Sequence, residues 1–461
     1  MGRSVAGMCL GGAISILPVS FLFVHSAFAQ TQQEVAPVLG GLKLSVALSR
    51  TLGEAVNQAI AVHPDIRTAT ANWRAVSESV AQARAQFLPS LDATLGQGRE
   101  KTDSPLTRSL GSPLTLTRRE AQLNMSQLLF DGGASSSQLK REEARAASAY
   151  GQLASTAETV AFRTAQAFFE VLRLRSTIEL AEQNLAAHQR TLEQIVLRSE
   201  AGVGRRSDDR QTEARVALAR SSLVQLRCQL EQAEASYRNL TGQPPGRLVR
   251  SEISLAAIPA SAQAAVDEAL SNHPAVLAAK LDLEAAEADR ELARSRYAPR
   301  VTFELGASQN HDLDGLRGLN ADRSAMVMLR QNFFRGGADA AREREADARR
   351  DEAAGRLAKV QTDLERDVRQ AWEGLASDRA RLPDLQLYAD TSAEVVEAYR
   401  GQFSIAQRSL LDVLNAENES YNARSGKITG EYTVATDLYR LLSSMGRMTA
   451  QLGAKLPEAP Q

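Results

Sequence analysis

The chain has 461 residues, of which 24% are charged and only 5% aromatic, and its formal net charge is −1. This balance favours long helices over compact aromatic cores. The near-zero charge gives no electrostatic reason to expect a nucleic-acid partner.

The first 29 residues differ from the rest of the chain. Arg3 precedes an apolar run that ends in Ala27-Phe28-Ala29, the small-residue pattern at which a secretory signal peptide is cleaved. Cys9 lies too deep in that run to carry a lipid, so we expect an unlipidated mature N-terminus. Cys228 is then the only cysteine, which excludes an internal disulfide and a cysteine-based metal site. We expect it to be a buried or half-exposed helix residue.

A polar tail is predicted over residues 30–50, followed by a first repeat over residues 51–246. The repeat opens with a helical apolar pattern that is interrupted at His63-Pro64. Apolar and polar residues then alternate at about 90–100 and 119–130, which predicts two strands. Between them we expect an exposed loop over Lys101–Thr117. A long helix, a turn and another helix complete the repeat.

A second repeat is predicted over residues 261–450, after a linker at 247–260 and before a C-terminal tail at 451–461. It has the same plan, with strands at about 299–309 and 323–334. Three short signals recur at matching places. They are His63-Pro64 and His273-Pro274, Phe87-Leu88-Pro89 and Tyr297-Ala298-Pro299, and the pairs Gly132-Gly133 and Gly336-Gly337. An internal duplication is the economical explanation.

The long helices carry an apolar seam. In the first of them apolar and small residues recur at alternating spacings of four and three, which is the period of a left-handed coiled coil. The seam contains Leu153, Ala157, Val160, Thr164, Ala167, Val171, Leu174, Ile178, Ala181, Leu185, His188, Leu192 and Ile195. Pro383 interrupts the corresponding pattern of the second repeat and predicts a kink or local break there.

The lengths of the strands and helices together predict a conduit. A strand of about ten residues can cross a bilayer when tilted, but four strands cannot close a barrel, which needs at least about eight. Their open edges would be unsatisfied in lipid, so several chains must contribute strands to one barrel. A helix of about 65 residues is close to 100 Å long at roughly 1.5 Å per residue, which suits bridging a compartment.

The duplicated strand-Gly-Gly-helix segments and the turn Gln407-Arg408-Ser409-Leu410-Leu411-Asp412-Val413-Leu414 resemble the TolC family, the outer-membrane exit ducts of Gram-negative efflux and secretion systems. The turn is similar to that family's Gly-Thr-Arg-Thr-x-x-Asp-Val-Leu tip. The resemblance covers nearly the whole mature chain, from about Leu52 to Gly453.

This resemblance implies an α+β membrane protein with two internal repeats. Its chains would form a homotrimer, with four strands each in a twelve-stranded outer-membrane β-barrel. A long α-helical coiled-coil tunnel would continue the barrel through the periplasm. The implied partners are a periplasmic membrane-fusion (adaptor) protein, an inner-membrane ABC transporter or RND pump, and outer-membrane lipid.

The resemblance also implies roles for residues of the two turns. Asp412 matches the aspartate that rings the periplasmic aperture, Arg408 matches the arginine of the gate network, and Phe403 occupies a position that is usually tyrosine. Ser207 and Asp208 match the Thr-Asp of the first repeat. Asn415 stands where the family has a second aperture aspartate, so we expect one carboxylate ring. The adaptor-contacting residues are predicted to be Gly202, Val203, Gly204, Arg205, Ala406, Gln407, Ser409 and Leu410.

Three carboxylates brought to one axis would repel one another, attract cations and stay ionised only beside countercharge. Arg408, Arg205 and Arg206 are the candidates to supply that countercharge. The competing interpretation is that these residues, together with Asp208 and Asp209, are solvated parts of ordinary helix-to-helix turns.

Other candidate sites have simpler explanations. His63 and His273 each precede a proline without a carboxylate cluster beside them, so no metal site is expected. Asp312 and Asp314 lack the remaining ligands of a calcium loop, which favours a solvated loop. No nucleophile elbow, phosphate loop or Cys/His cluster occurs in the sequence. We therefore predict neither an enzyme nor a cofactor.

The sequence thus predicts the outer-membrane duct of a tripartite exporter. We favour type I protein secretion, because the unlipidated N-terminus and the second turn look more like secretion ducts than like the lipoprotein ducts of multidrug pumps. A multidrug efflux duct is the close alternative. A periplasmic coiled-coil scaffold would explain the seam and the signal peptide, but it leaves the four alternating strands unexplained.

Overall fold

The computed structural model describes residues 50–109, 114–202, 204–249 and 258–456. The predicted signal peptide, the predicted tail up to residue 49, Val203 and most of the predicted linker lie outside these ranges. The chain divides into two units, Met1–Val46 and Ala47–Gln461. Every described residue belongs to the second unit.

Helices and strands follow one another in an order that occurs twice. The first set comprises α1 (Leu52–Val62), α2 (Pro64–Ala85), β1 (Ser90–Thr102), a short helix α3 (Pro105–Ser109), β2 (Leu114–Phe130), α4 (Ala134–Glu200) and α5 (Arg206–Thr241). The second comprises α6 (Ala262–Asn272), α7 (Pro274–Arg294), a 3-10 turn (Ser295–Tyr297), β3 (Arg300–His311), β4 (Leu319–Arg330), α8 (Ala338–Ser404), α9 (Leu410–Ser444) and α10 (Met448–Gln451). The two longest helices, α4 and α8, have 67 residues each.

The strand boundaries differ from those that apolar alternation predicts. β2 begins at Leu114 rather than near 119, and β4 spans Leu319–Arg330 rather than 323–334. The predicted loop over 101–117 therefore contains strand residues and the helix α3. The added residues are held by the backbone ladder, with Thr102 opposite Leu114. Because every residue type except proline can both donate and accept in a ladder through its backbone, side-chain polarity alone underestimates strand length.

Each predicted interruption at a His-Pro pair is the start of a helix. The Nδ1 atom of His63 accepts the Asp65 N–H at 3.2 Å, and that of His273 accepts the Ala275 N–H at 3.1 Å. Proline fits the first helical position because its φ is already helical and the missing N–H has no partner there. Both histidines are therefore helix N-caps.

The coiled-coil seam of the first long helix is confirmed. Leu153, Val160 and Leu174 are fully buried, because α4 packs against α2, α5, α7 and α9. Near its middle α4 also holds the C-terminal segment of the chain. There the buried Glu158 carboxylate accepts the N–H groups of Met448 at 3.1 Å and Thr449 at 3.0 Å.

Two expectations for single residues differ from the structure. The predicted break at Pro383 is absent, because helix α8 runs through that residue, and the predicted kink stays a prediction. One proline removes only one intrahelical hydrogen bond, and α8 is supported there by close packing on α9, where a Cβ on Gly430 would lie 2.7 Å from Leu385 Cδ1. Cys228 is exposed on α5 rather than buried or half-exposed.

The four strands form one antiparallel sheet in the order β1-β2-β3-β4. Side chains of directly opposed residues share a face, and successive residues alternate between faces. One row of opposed residues contains Leu91, Met125, Leu305 and Ala325, and the next contains Asp92, Asn124, Gly306 and Ser324. On the hairpin side of the bulge between Leu128 and Phe130, the sheet thus has a mainly apolar face, formed by the odd-numbered residues, and a mainly polar face, formed by the even-numbered ones.

All the long helices join the sheet at one end. β1 begins after α2, β2 leads into α4, β3 begins after α7 and β4 leads into α8, whereas the two hairpin connections lie at the opposite end. Within the described part of the chain, β1 and β4 each leave one edge of the sheet unpaired. None of the described helices has an apolar stretch long enough to cross a membrane.

Candidate functional site

The first helix-to-helix turn joins α4 to α5 and depends on glycine. Gly202 has a φ of +77°, in the left-handed region that glycine adopts without strain, and its N–H donates to the Ser199 carbonyl at 3.0 Å. A Cβ on Gly204 would lie 2.8 Å from the Ser199 backbone nitrogen. A larger residue at position 204 would therefore displace the end of α4.

The second turn joins α8 to α9 and has alanine in the left-handed position. Ala406 has a φ of +64°, and the Gln407 N–H reaches back to the Gln402 carbonyl at 2.9 Å. Ser409 then caps α9: its hydroxyl accepts the Asp412 N–H at 3.2 Å, and the Asp412 carboxylate accepts the Ser409 N–H at 3.4 Å. This reciprocal pair is a capping box.

A small apolar cluster brings the two turns together. Ile195 of α4 and Leu410 and Leu414 of α9 are buried, and the half-buried Phe403 of α8 packs against them. The Arg198 guanidinium lies 4.9 Å from the centre of the Phe403 ring, a cation–π contact. We call the described residues of 188–215 and 399–417 the helix tip.

Asp412 and Arg408, predicted to act in one gate, have different partners within the chain. The half-buried Asp412 carboxylate accepts the Ser409 hydroxyl at 2.8 Å in addition to the capping contacts. Arg408 Nε donates to Gln402 Oε1 at 3.1 Å, and its guanidinium lies 4.0 Å from the centre of the Tyr399 ring. In a single chain, Asp412 therefore caps a helix, while Arg408 is held against the last turns of α8.

The predicted residues of the first repeat lie at the start of α5. The Ser207 hydroxyl donates to Asp208 Oδ1 at 3.3 Å, and both Asp208 and Asp209 occupy the first turn of the helix, where its dipole favours negative charge. Arg205 and Arg206 are exposed beside them. Asp208 and Asp209 are half-buried, and Asp209 Oδ1 is buried without a hydrogen-bond partner in the described part of the chain, so this helix start is only partly solvated.

A charged cluster of the helix tip, centred on a buried carboxylate, connects α4, α8 and α9. Arg400 Nη2 lies 2.8 Å and Nε 3.1 Å from Glu417 Oε1, and His188 Nδ1 lies 3.1 Å from Glu417 Oε2. Only 4% of His188 and 5% of Glu417 are exposed. Burial opposes ionisation of Glu417, but the contacts with His188 and Arg400 outweigh it and hold the pKa of Glu417 below its ordinary value.

The comparisons with known proteins agree with this architecture. The family model described as "Outer membrane efflux protein" matches residues 55–243 and 265–447. The chain belongs to the outer membrane efflux protein family. This confirms the resemblance to the TolC family and the predicted location in the outer membrane, with a periplasmic helical portion.

Individual relatives of this family member are similar over most of their length. The outer membrane efflux protein BepC of Brucella suis is 26% identical over 92% of both chains. The alkaline protease secretion protein AprF of Pseudomonas aeruginosa is 25% identical over 82% of this chain and 80% of its own. The crystal structure of the CmeC outer membrane channel of Campylobacter jejuni has a TM-score of 0.77 at 15% identity and covers 86% of each chain. The structural likeness shows that this chain has the fold of outer-membrane channels.

The cluster of His188, Arg400 and Glu417 was missed at the sequence level. One signal for it was present, because a histidine at a seam position implies a buried polar partner. The partners themselves lie on two other helices, separated by the second turn. A local pattern does not connect them.

Proposed function

We propose that three copies of this protein form an outer-membrane exit duct. The observation that carries the proposal is the four-stranded sheet with one apolar face, one polar face and two open edges. When three such sheets join edge to edge, the backbone groups of every edge strand are hydrogen-bonded and the polar faces are enclosed. One sheet alone in lipid leaves backbone groups unpaired. The helices that leave one end of the sheet would continue the duct into the periplasm.

The duct belongs to a tripartite export system. An energised inner-membrane transporter and a periplasmic adaptor would deliver cargo to the helix tip, and the glycine-rich first turn and the exposed second turn would contact the adaptor. The function is transport without catalysis.

Type I protein secretion is the version that we favour. It is supported by the tip sequence around Asp412 and by the similarity over most of the chain to AprF, a protein named for alkaline protease secretion. Multidrug efflux is the alternative, and the somewhat higher identity to BepC, a protein named for efflux, supports it. Deleting the gene and measuring both secreted protein and drug accumulation would distinguish the two.

The gate is assigned to the helix tip. Asp412 would form the carboxylate ring that attracts cations, and Arg408 would restrain the end of α8 through Gln402 and Tyr399. Phe403, Ser207 and Asp208 would position the adjoining turns.

Single-channel conductance of the purified protein in a planar bilayer tests the duct directly. We expect a trimer that requires detergent and conducts ions. A folded protein that is soluble without detergent and forms no channel would contradict the duct and favour a periplasmic scaffold.

A further inference from the structure

Basic side chains on the apolar face of the sheet lie together at its hairpin end. Arg99 and Lys101 are odd-numbered residues of β1, on the same face as Leu91 and Leu95. Arg119 of β2 is opposite Gln97, another residue of that face. The three bases therefore lie on the face that carries the rows of Leu91 and Leu95.

Their height on the sheet places them just beyond the apolar band. The row of Leu95 and Ala121 is the last before the hairpin end in which both of these strands present apolar side chains. Arg119 lies one row further toward the hairpins, Arg99 two rows and Lys101 three rows, with about 7 Å between rows. Arg99 is diagonal to Arg119, a separation of about 7–8 Å. The bases form a continuous group, which we call the basic belt.

The two faces differ sharply in how their charges are paired. On the polar face, Arg118 lies 3.3 Å from Glu100 and also contacts Glu120, and Arg330 lies 2.9 Å from Glu304. All acidic residues of the four strands lie on that face; they are Asp92, Glu100, Glu120, Glu304 and Asp322. The apolar face of the described strands thus has bases but no carboxylate to neutralise them.

The three bases of the belt are also exposed. Arg99, Lys101 and Arg119 are exposed, whereas Glu100, Arg118 and Glu120 on the polar face are partly covered. Like charges this close repel one another unless an anion lies between them. Arg323, the remaining arginine of this face, lies opposite Ala307 within the apolar band and at the far edge of the sheet, so it is not part of the belt.

We propose that the basic belt binds the phosphate groups of phosphorylated glycolipids in the outer leaflet of the outer membrane. This inference rests on the proposed function, because the apolar face must be the lipid-facing side of the barrel and the hairpins must point away from the periplasm. The acyl chains would then contact the rows of Leu91 and Leu95. The lipid phosphates would lie at the level of Arg119 and Arg99, where opposite charges meet at the edge of the hydrocarbon region.

The test compares two neighbouring arginines that point to opposite faces. Purified full-length protein in detergent is titrated with bisphosphorylated lipid A and, separately, with the same lipid stripped of its phosphates, and bound lipid is counted by native mass spectrometry. Arg119→Gln is expected to weaken binding of the phosphorylated lipid by about fivefold, and the triple variant with Arg99→Gln and Lys101→Gln by on the order of 100-fold. Arg118→Gln removes the same charge from the polar face and should leave binding unchanged.

Any one of three results would contradict lipid binding by the basic belt. The first is equal binding of the two lipids by the wild type, and the second is an equal loss of lipid affinity in Arg118→Gln and Arg119→Gln. The third is displacement of the lipid by inorganic phosphate at an equal concentration. Conductance of the same preparations separates this inference from the proposed function. If the wild type conducts but its lipid binding does not change in the belt variants, only the basic belt is refuted. If the trimer never conducts, the proposed duct is refuted.

Discussion

Arg400 and Glu417 form an ion pair across the second turn, with Arg400 Nη2 2.8 Å from Glu417 Oε1; the carboxylate is buried and the guanidinium is partly exposed. The pair joins the end of α8 to the start of α9, and His188 of α4 contacts the other carboxylate oxygen at 3.1 Å. Three helices of the tip therefore share one buried carboxylate.

Glu417→Gln should destabilise the helix tip. The substitution keeps the shape but removes the charge-assisted hydrogen bonds between the partly exposed Arg400 and a buried carboxylate, which we expect to cost about 1.5–3 kcal/mol in the free energy of unfolding. Glu397→Gln removes the exposed partner of the same arginine, at 2.9 Å, and should cost less than about 1 kcal/mol. Denaturant unfolding of both variants is the measurement. Equal losses would show that burial of Glu417 does not strengthen the pair.

The same carboxylate predicts a loss of stability in acid. The pKa of Glu417 is held below its ordinary value in the folded protein, so its stabilising contribution is complete above the ordinary glutamate pKa. The contribution is lost as the pH falls through the lower, folded pKa. In Glu417→Gln this part of the acid transition should be absent. An unchanged acid profile in the variant would rule out Glu417 as a contributor.

Asp437 predicts the opposite pH dependence. Burial, together with a hydrogen bond to the Asp378 carboxyl across α8 and α9, raises the pKa of Asp437 to about 6. The protonated form is therefore favoured by folding, and its contribution is present below the unfolded pKa and lost as the pH rises through about 6. Asp437→Asn should stabilise the protein at pH 8 by on the order of 2 kcal/mol and flatten the profile between pH 4 and 7. Thermal unfolding across this range is the measurement. If the stability of the variant depended on pH as strongly as that of the wild type, the raised pKa of Asp437 would be contradicted.

The charge of Asp412 can be separated from its capping role. Asp412→Asn removes the charge and keeps an acceptor for the Ser409 N–H, whereas Ser409→Ala removes the hydroxyl that accepts the Asp412 N–H at 3.2 Å and keeps the carboxylate. Ser409→Ala should lose about 1 kcal/mol of stability, and Asp412→Asn should lose less. Only Asp412→Asn should reduce cation selectivity, measured as the reversal potential across a salt gradient. Loss of selectivity in Ser409→Ala would assign the effect to the shape of the turn instead.

Arg408→Ala should raise single-channel conductance. The change frees the end of α8 from the contacts to Gln402 and Tyr399, which the proposed gate uses as restraints. Arg210→Ala removes an exposed arginine of the helix tip that pairs with Glu213 on the same helix at 2.8 Å; it is the matched control and should conduct as the wild type does. If both variants conduct as the wild type, Arg408 has no gate role.

The helical part of the fold could be predicted because its signals are local. The spacing of Leu153, Val160 and Leu174 places them on one face of any helix, and the buried seam follows directly from it. The strand ends were misplaced because residues such as Lys101 and Thr115 join the ladder through their backbones, and side-chain polarity does not report backbone pairing. Pro383 was expected to interrupt α8, and packing on α9 keeps the helix continuous.

By itself, the sequence determined the internal duplication, the apolar seam, the alternating strands and the positions of both turns. Each of these depends on residues that are neighbours along the chain. Only the tertiary structure decided which charged groups are in contact. It brings His188, Arg400 and Glu417 together, and it shows Asp412 in the capping box of α9. It also sets the strand register that places Arg118 and Arg119 on opposite faces of the sheet. Such contacts depend on how separate helices and strands pack, and the order of residues along one element carries no record of that packing.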